Sequence, residues 1–357
     1  MACGLRMEEF SDYALDNASE QAYSRSMNLI DAIKTFPDEL ACVRYLEKMR
    51  WPEGVKCVKC GSEQVTFYTK KEGVRARVNR KGERVEVRVP ARYLYQCKAC
   101  RHQFTPTVGT LFNDTHLPLR TWFLAVVLMI DAKKSMAANQ IKRHLDIGSY
   151  RTAWYLCHRV RKAMEELPAD LFKGVVEADE TYIGGKYDKR RKRERWDKEP
   201  VFGIIERKGK VKTWHIPRVN RYQVIGKLQG TVSPDVELVC TDESRLYHRM
   251  PSGMSHEIVN HSEKEWVRGI VHTGSIDGYW GLLKRAIIGS FHHVSIKHLD
   301  RYLSEAEYRW NRREEDLSAL IVIRLLIASA MQYKALIAPV PEETDNGPEA
   351  TLDDQPF

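Results

Sequence analysis

Apolar positions change their spacing several times along the chain, and each change marks an expected element. Residues 26 to 50 read as two helices broken at Phe36-Pro37-Asp38, with Asp38 an N-cap for the apolar run Leu40, Val43, Leu46 and Met49. The polar, unpatterned residues 1 to 25 read as a frayed leader. Alternation in Val65-Thr66-Phe67-Tyr68 and in Arg84 to Val89 predicts strands, with a turn at Lys81-Gly82. Helical spacing returns over residues 117 to 167. One helix is expected from about 118 to 131 with Pro118 in its first turn. A second spans 135 to 145 and stops at Asp146-Ile147-Gly148, and a third runs from a Ser149 cap to about Glu166. Short β-rich runs follow at Val175 to Asp179, Val201 to Ile205, Val211 to Ile216 and Val236 to Cys240, with turn signals at Gly184-Gly185 and Lys208-Gly209. Helices resume near residue 275, and the acidic, Pro-containing tail after Pro339 predicts disorder. No internal repeat is visible.

This pattern divides the chain into a leader with helices (1–50), a cysteine-bearing module (51–115), a helical block (116–170), an α/β region (171–335) and a tail (336–357). The longest apolar runs are Trp122 to Ile130, too short for a bilayer, and Leu317 to Met331, interrupted by Arg324, so both predict buried helices. The N-terminus lacks the apolar core of a signal peptide. A soluble chain in the cytoplasm is expected, with no membrane partner. Of 357 residues, 43% are hydrophobic, enough for an ordinary core, and the formal net charge of +9 points to a polyanionic partner without saying anything about fold.

The chain has eight cysteines, of which Cys57-Val-Lys-Cys60 and Cys97-Lys-Ala-Cys100 form two C-x2-C pairs. Two such pairs supply four soft thiolates, the donor set of a structural Zn²⁺. Gly61 and Arg101-His102 suit tight knuckle turns, and a β-hairpin would fill the long linker between the pairs. No βαβ pattern surrounds either pair, which argues against a thioredoxin-type role. Two unrelated pairs of reduced thiols are the alternative.

Helices two and three of the helical block, joined at Asp146-Ile147-Gly148, fit a helix-turn-helix. The third carries Arg151, Thr152, Tyr155, His158, Arg159, Arg161 and Lys162, with Trp154, Leu156, Val160 and Met164 on the expected buried side. Arg151, Thr152 and Tyr155 lie where a recognition helix reaches base edges, and Arg159 and Lys162 extend the DNA-binding set. A plain amphipathic helix with a solvated face is the alternative.

Three aspartates carry the candidate chemistry. Asp179 and Asp242 each fall at the end of an expected strand, where carboxylates converge on one crevice and recruit Mg²⁺ or Mn²⁺. Asp277 follows Asp242 by 35 positions and opens a helix, and Lys284, seven residues on, shares its face. Two-metal phosphoryl transfer needs such carboxylates, and a basic residue nearby meets phosphate. Ile276, Leu282, Leu283 and Ile287 are expected to pack this helix on the sheet. Alternation puts Glu180 on the face opposite Asp179, but the register stays open from sequence, as it does for Glu243 beside Asp242. Each aspartate taken alone also fits a cap or turn.

The blocks Ala178-Asp179-Glu180-Thr181-Tyr182-Ile183-Gly184-Gly185-Lys186 and Val271 to Trp280, running on to Leu283-Lys284-Arg285, resemble those of bacterial insertion-sequence transposases related to the eukaryotic Merlin elements. Phe291-His292-His293-Val294-Ser295, Lys297-His298-Leu299 and Tyr302 resemble the continuation of the second block, and the cysteine pairs with Phe104-Thr105 and Gly109-Thr110 resemble the family's zinc ribbon and the segment after it. The resemblance covers about residues 35 to 315. It implies an RNase H-like catalytic core, a mixed five-stranded sheet flanked by helices. It also implies Mg²⁺-dependent cleavage at terminal inverted repeats, strand transfer, and a homo-oligomer assembled on double-stranded DNA. Carried over by residue, Asp179 and Asp242 are the first two metal carboxylates and Lys284 the basic residue. Where relatives usually have Asn-Thr-Ile-Glu-Gly, this chain has Gly274-Ser275-Ile276-Asp277-Gly278, so the third ligand departs from the pattern.

The basic run Lys186 to Lys198 suits phosphate contact or a solvated loop. His292, His293 and His298 read as packing or phosphate-contacting residues, since hard Mg²⁺ rarely selects imidazole. Three functions follow: an active transposase, a domesticated DNA-binding regulator that has lost catalysis, or a nuclease on the same core.

Overall fold

The computed structural model describes residues 27–78, 81–132, 134–166, 170–184, 198–248, 250–251, 253–313, 322, 324–325 and 331–338. The leader, the basic run up to residue 197, most of Leu317 to Met331 and the acidic tail lie outside the described residues. No helix among the described residues is long and apolar enough to cross a membrane.

Helices α1 (Leu29–Thr35) and α2 (Glu39–Arg50) break where expected, and Asp38 caps α2 by accepting from the Ala41 amide at 2.8 Å. The buried side of α2 is Cys42, Val43 and Leu46, whereas Leu40 of the expected apolar run is 37% exposed. Strands β1 (Val65–Lys70), β4 (Arg92–Cys97) and β5 (Gln103–Phe104) form a three-stranded sheet. The hairpin β2 (Gly73–Val78) and β3 (Arg84–Val89) fills the linker between the cysteine pairs and turns through Gly82, whose φ of 81° suits a residue without Cβ.

The helical block consists of α3 (Leu119–Asp131), α4 (Ala138–His144) and α5 (Tyr150–Ala163). Pro118 sits one place before the expected position, at the N-cap of α3, and Ser149 occupies the N-cap of α5 without a side-chain cap bond. Trp122, Phe123, Leu156 and Val160 share a core with Phe36, Leu46, Phe112 and Tyr308.

The C-terminal region is built on a mixed five-stranded sheet in the order β10-β9-β6-β7-β8. Its strands are β6 (Val175–Ile183), β7 (Glu199–Glu206), β8 (Val211–His215), β9 (Leu238–Thr241) and β10 (His256–Ile258). β6 runs four residues past the expected Asp179, because β7 pairs with it as far as Ile183↔Glu199. Asp179 is therefore mid-strand rather than at the strand end. The parallel pairing of β6 with β9 does stop at Glu177↔Cys240, so the sheet opens beside Asp179 on that edge.

Alternation along β6 and β7 separates two cores. Val176, Ala178, Phe202 and Ile204 pack with Val224 and Leu228 of α6 (Arg221–Thr231). Ile183, Val201 and Ile205 pack on the other face with Ile276, Trp280 and Leu283 of α7 (Gly274–Ala286) and Leu299 and Leu303 of α8 (Leu299–Asn311). Ile276, Leu283 and Ile287 are buried as expected, but Leu282 is 44% exposed. A π turn, Ile287–Phe291, continues α7, and α9 (Tyr333–Ile337) closes the described chain.

Candidate active site

Asp179 lies on the α7 face of β6, directly across from Gly203 of β7. Its Oδ2 accepts a hydrogen bond from Trp280 Nε1 at 2.9 Å. Burial pushes its carboxyl up to about 6; the Trp280 bond works against this, and the charges of Asp242 and Asp277 add to it. Asp242 follows the last residue of β9 and accepts from the Ser244 amide at 3.0 Å. Burial raises this carboxyl too, and Asp277 again contributes. Asp277 is exposed in the first turn of α7, where a carboxylate favours the helix dipole, with Thr273 Oγ1 at 3.4 Å.

Asp179 and Asp242 thus lie at the open edge of the sheet, with Asp277 near enough for its charge to raise both carboxyls. The three do not converge tightly. Among the described residues, only the four cysteines bring three or more possible ligand atoms within 4.8 Å of one another. Lys284 is exposed in the last turn of α7, about 10 Å along the helix from Asp277.

The register questions have definite answers. Glu180 points to the α6 face and accepts from Tyr247 Oη at 2.6 Å, with burial raising its carboxyl to about 7. Glu243 turns away from Asp242 and accepts from the His261 amide at 3.0 Å and from Ser262 Oγ at 2.6 Å.

One residue of this face carries no role in the sequence reading. Glu177 is fully buried. It accepts from Arg207 Nε at 2.6 Å and from the amides of Ser275 and Ile276 at 2.8 and 3.0 Å. Arg207 also donates to the carbonyls of Ile270 at 2.5 Å and His272 at 2.8 Å. The pair ties the strand of Asp179 to the first turn of the helix bearing Asp277. Strand alternation offered a signal, since Glu177 and Asp179 share a face and a buried carboxylate needs donors. The donors themselves are 30 and 98 positions away and carry no local mark.

The four cysteines form a second centre. Cys57 and Cys100 Sγ are 3.6 Å apart, as are Cys60 and Cys97 Sγ. Four sulfurs each about 2.3 Å from one ion stand about 3.8 Å apart at tetrahedral corners, so the set fits Zn²⁺. Each pair sits on a tight turn. Gly61 donates to the Cys57 carbonyl at 2.8 Å with φ 72°, and Arg101 to the Cys97 carbonyl at 3.0 Å with φ 60°. The Cys100 amide that donates to Cys97 Sγ holds that thiol down to about 6. Tyr95 and Phe104 are buried against these cysteines, with Trp51 packed on them.

The expected DNA-reading helix is placed otherwise than its sequence suggests. Arg151 is exposed, and Thr152, Tyr155 and Lys162 are half-buried. Arg159 is buried, donating to Tyr155 Oη at 2.8 Å, while Tyr155 Oη donates to the Met331 carbonyl. Lys162 pairs with Glu165. His158 and Arg161, both on the expected polar side, are fully buried. Beyond its first turn α5 is enclosed by chain from α8 and from residues 331–333, so Arg159 corrects the reading of a solvent-facing basic side. His298 packs on the rings of Trp154 and His158, in keeping with a packing role.

Comparison with known proteins adds the lineage. Residues 172–311, from before β6 to the end of α8, match the ISXO2-like transposase domain, and residues 37–103 match the transposase zinc-ribbon domain. A protein of transposable element ISH50 from Halobacterium salinarum is 29% identical over 271 residues, 71% of this chain and 84% of that protein. A transposase-like protein of Haemophilus influenzae is 28% identical over 125 residues, 35% of this chain and 98% of its own length.

Proposed function

We propose that this chain, which joins an insertion-sequence transposase domain to a zinc ribbon, is a DNA transposase that cuts at terminal inverted repeats and transfers the freed strand into target DNA. The observation that carries this reading is that Asp179 of β6 accepts from Trp280 of α7, the helix that bears Asp277, at the sheet edge where β9 ends beside Asp242.

The chemistry of the donors suits a hard cation: burial and neighbouring charge oppose the ionisation of Asp179 and Asp242, and the exposed Asp277 adds a third carboxylate. Asp179, Asp242 and Asp277 would hold Mg²⁺ or Mn²⁺, which when bound activates a water or 3′-hydroxyl and stabilises the leaving oxygen. The chain's own residues then position and exclude. Trp280 fixes the Asp179 carboxylate, and the Glu177–Arg207 pair holds α7 so that Asp277 keeps its place above the strand. Lys284, exposed on the same helix, meets a DNA phosphate.

The sheet order and helical layers fit an RNase H-like core over residues 171–335, behind a zinc ribbon at 51–115 and a helical DNA-binding region at 116–170. Within that region, the exposure of Arg151 and the partial exposure of Thr152 support DNA contact from the first turn of α5. Double-stranded DNA is the partner, a homo-oligomer assembles on paired ends, and the work is done in the bacterial cytoplasm.

A DNA-binding regulator is the second reading, favoured by the exposure of Asp277 and the 3.4 Å length of the bond its carboxylate accepts from Thr273 Oγ1. Cleavage and joining of the element's own ends with Mg²⁺ separates the two. Asp179→Ala and Asp242→Ala should each abolish both steps, and equal activity in Asp242→Ala would refute the site. Full activity in Asp277→Ala, with loss in the other two, would move the third ligand elsewhere. Cleavage without joining would point to a nuclease.

A further inference from the structure

A cavity of about 590 Å³ opens between α5, the start of α4, the π turn and α8, away from the three aspartates. Its size is that of a small-molecule or nucleotide site. Rings form much of its wall: Tyr150 and Trp154 from α5, Phe291 from the π turn, His293 beside it, and His298 and Tyr302. Trp154 and His298 stand 5.2 Å apart, and Phe291 and Tyr302 4.7 Å apart.

One charged group lines this cavity from the interior. Arg161 is 1% exposed, and its guanidinium carbon lies 4.3 Å from the Tyr302 ring centre and 5.1 Å from that of Phe291. Its Nε donates to Glu305 at 2.7 Å, but Nη2 has no hydrogen-bond partner among the described residues. A buried N–H of a cation left without an acceptor is costly, so this atom calls for one. Glu305 does not neutralise the region alone, because Arg309 also bonds it at 3.1 Å and Arg301 stands close by, with Nη1 3.5 Å from the His158 carbonyl. Burial pushes the neighbouring His158 down to about 2, and the charges of Arg161, His298 and Arg301 add to this.

The cavity also has a defined place relative to the candidate chemistry. The helix that carries Asp277 and Lys284 runs straight into the π turn that walls it. Asp277 and Phe291 are separated by about 21 Å along that axis. π turns inside helices often mark functional positions.

We propose that this cavity receives one unpaired nucleotide of the DNA being processed, its base against the rings of Trp154, Phe291 and His293 and an acceptor oxygen on Arg161 Nη2. Aromatic faces take any base, and a cationic floor takes its oxygens, which is how a nucleotide drawn out of a duplex is held. The proposal rests on the reading of DNA as substrate but requires no cleavage, so it can be tested without added Mg²⁺ or Mn²⁺.

The probes are a 20-nucleotide single strand carrying one 2-aminopurine and the fully paired duplex of the same sequence, titrated with the full, zinc-loaded chain in buffer without Mg²⁺ or Mn²⁺. The single strand should bind with a change in 2-aminopurine emission. Trp154→Leu and His293→Ala should each weaken single-strand binding about tenfold while leaving duplex affinity unchanged. His293 is exposed, so its variant keeps the fold even if Trp154→Leu does not. Unchanged single-strand affinity in His293→Ala and Trp154→Leu, or a parallel loss on strand and duplex, would overturn the proposal. A wild-type chain that bound neither probe would overturn the DNA-substrate reading along with it, whereas normal duplex binding with no single-strand effect removes the cavity alone.

Discussion

The Trp280 indole reaches Asp179 across 2.9 Å because residue 203, the cross-strand partner of Asp179, is glycine. A Cβ at that position would lie 2.5 Å from Trp280 Cη2 and 2.7 Å from Cζ2. Both atoms belong to a rigid ring packed in the core between β7 and α7, so the contact cannot be relieved by turning a flexible tip. Gly203→Ala should therefore displace the ring and cost about 1–3 kcal/mol in a urea titration. It should also raise the Asp179 carboxyl further, since the indole bond is the larger of the two hydrogen bonds that lower it. A variant with wild-type stability and an unshifted Asp179 carbon resonance would show that the ring has another way to sit.

Glu177 and Arg207 make a pair in which the acid is fully buried and the base side chain is 18% exposed. Removing the acid strands a guanidinium and two amide donors at the start of α7. Glu177→Ala should destabilise the chain by about 3–5 kcal/mol. Glu177→Leu combined with Arg207→Met should recover much of this, because the desolvation of both charges disappears together. A double variant as unstable as the single one would mean that the helix terminus, not the ion pair, needs the carboxylate.

Zinc is expected to hold the three-stranded sheet of β1, β4 and β5, whose small core has Cys57, Tyr95, Cys97 and Phe104 as its fully buried residues among those described. Cys57→Ser should lower the metal content measured by emission spectroscopy and expose this region to protease, while the five-stranded sheet keeps its fold. Retention of a full zinc load in both Cys57→Ser and Cys97→Ser would exclude the site.

His158 is buried with neither ring nitrogen hydrogen-bonded among the described residues, and burial is the main reason its pKa falls to about 2 from an ordinary 6.5. The folded chain thus holds the neutral ring. Its contribution is fully present above about pH 6.5 and is lost as the pH falls towards 2, because the unfolded chain takes up the proton first. Compared with wild type, His158→Phe should lose stability less steeply between pH 6.5 and 4, by at most about 1.4 kcal/mol per pH unit. Identical pH profiles for the two would show that His158 is not held neutral.

What the sequence determined by itself was whatever depends on near neighbours. The cap at Asp38, the turn at Gly82, the knuckles around Cys57 and Cys97 and most strand positions follow from residues a few places apart, and the folded chain carries them. The separation of Glu180 from Asp179 onto opposite faces likewise follows from strand alternation. Weak periodicity hid other elements. α6 contains Gly226 and Gly230, and β10 is three residues long at a sheet edge. The tertiary structure alone decided which polar groups are buried. Arg159 and Arg161 look like surface cations on α5, yet the acceptors that allow them inside, the Met331 carbonyl and Glu305, lie 172 and 144 positions away. The same holds for the candidate site: sequence could propose Asp179, Asp242 and Asp277, but only the packing of α7 on β6 through Glu177 and Trp280 sets how near they stand. Spacing along a chain encodes local geometry, whereas burying a charge depends on partners that folding alone brings within reach.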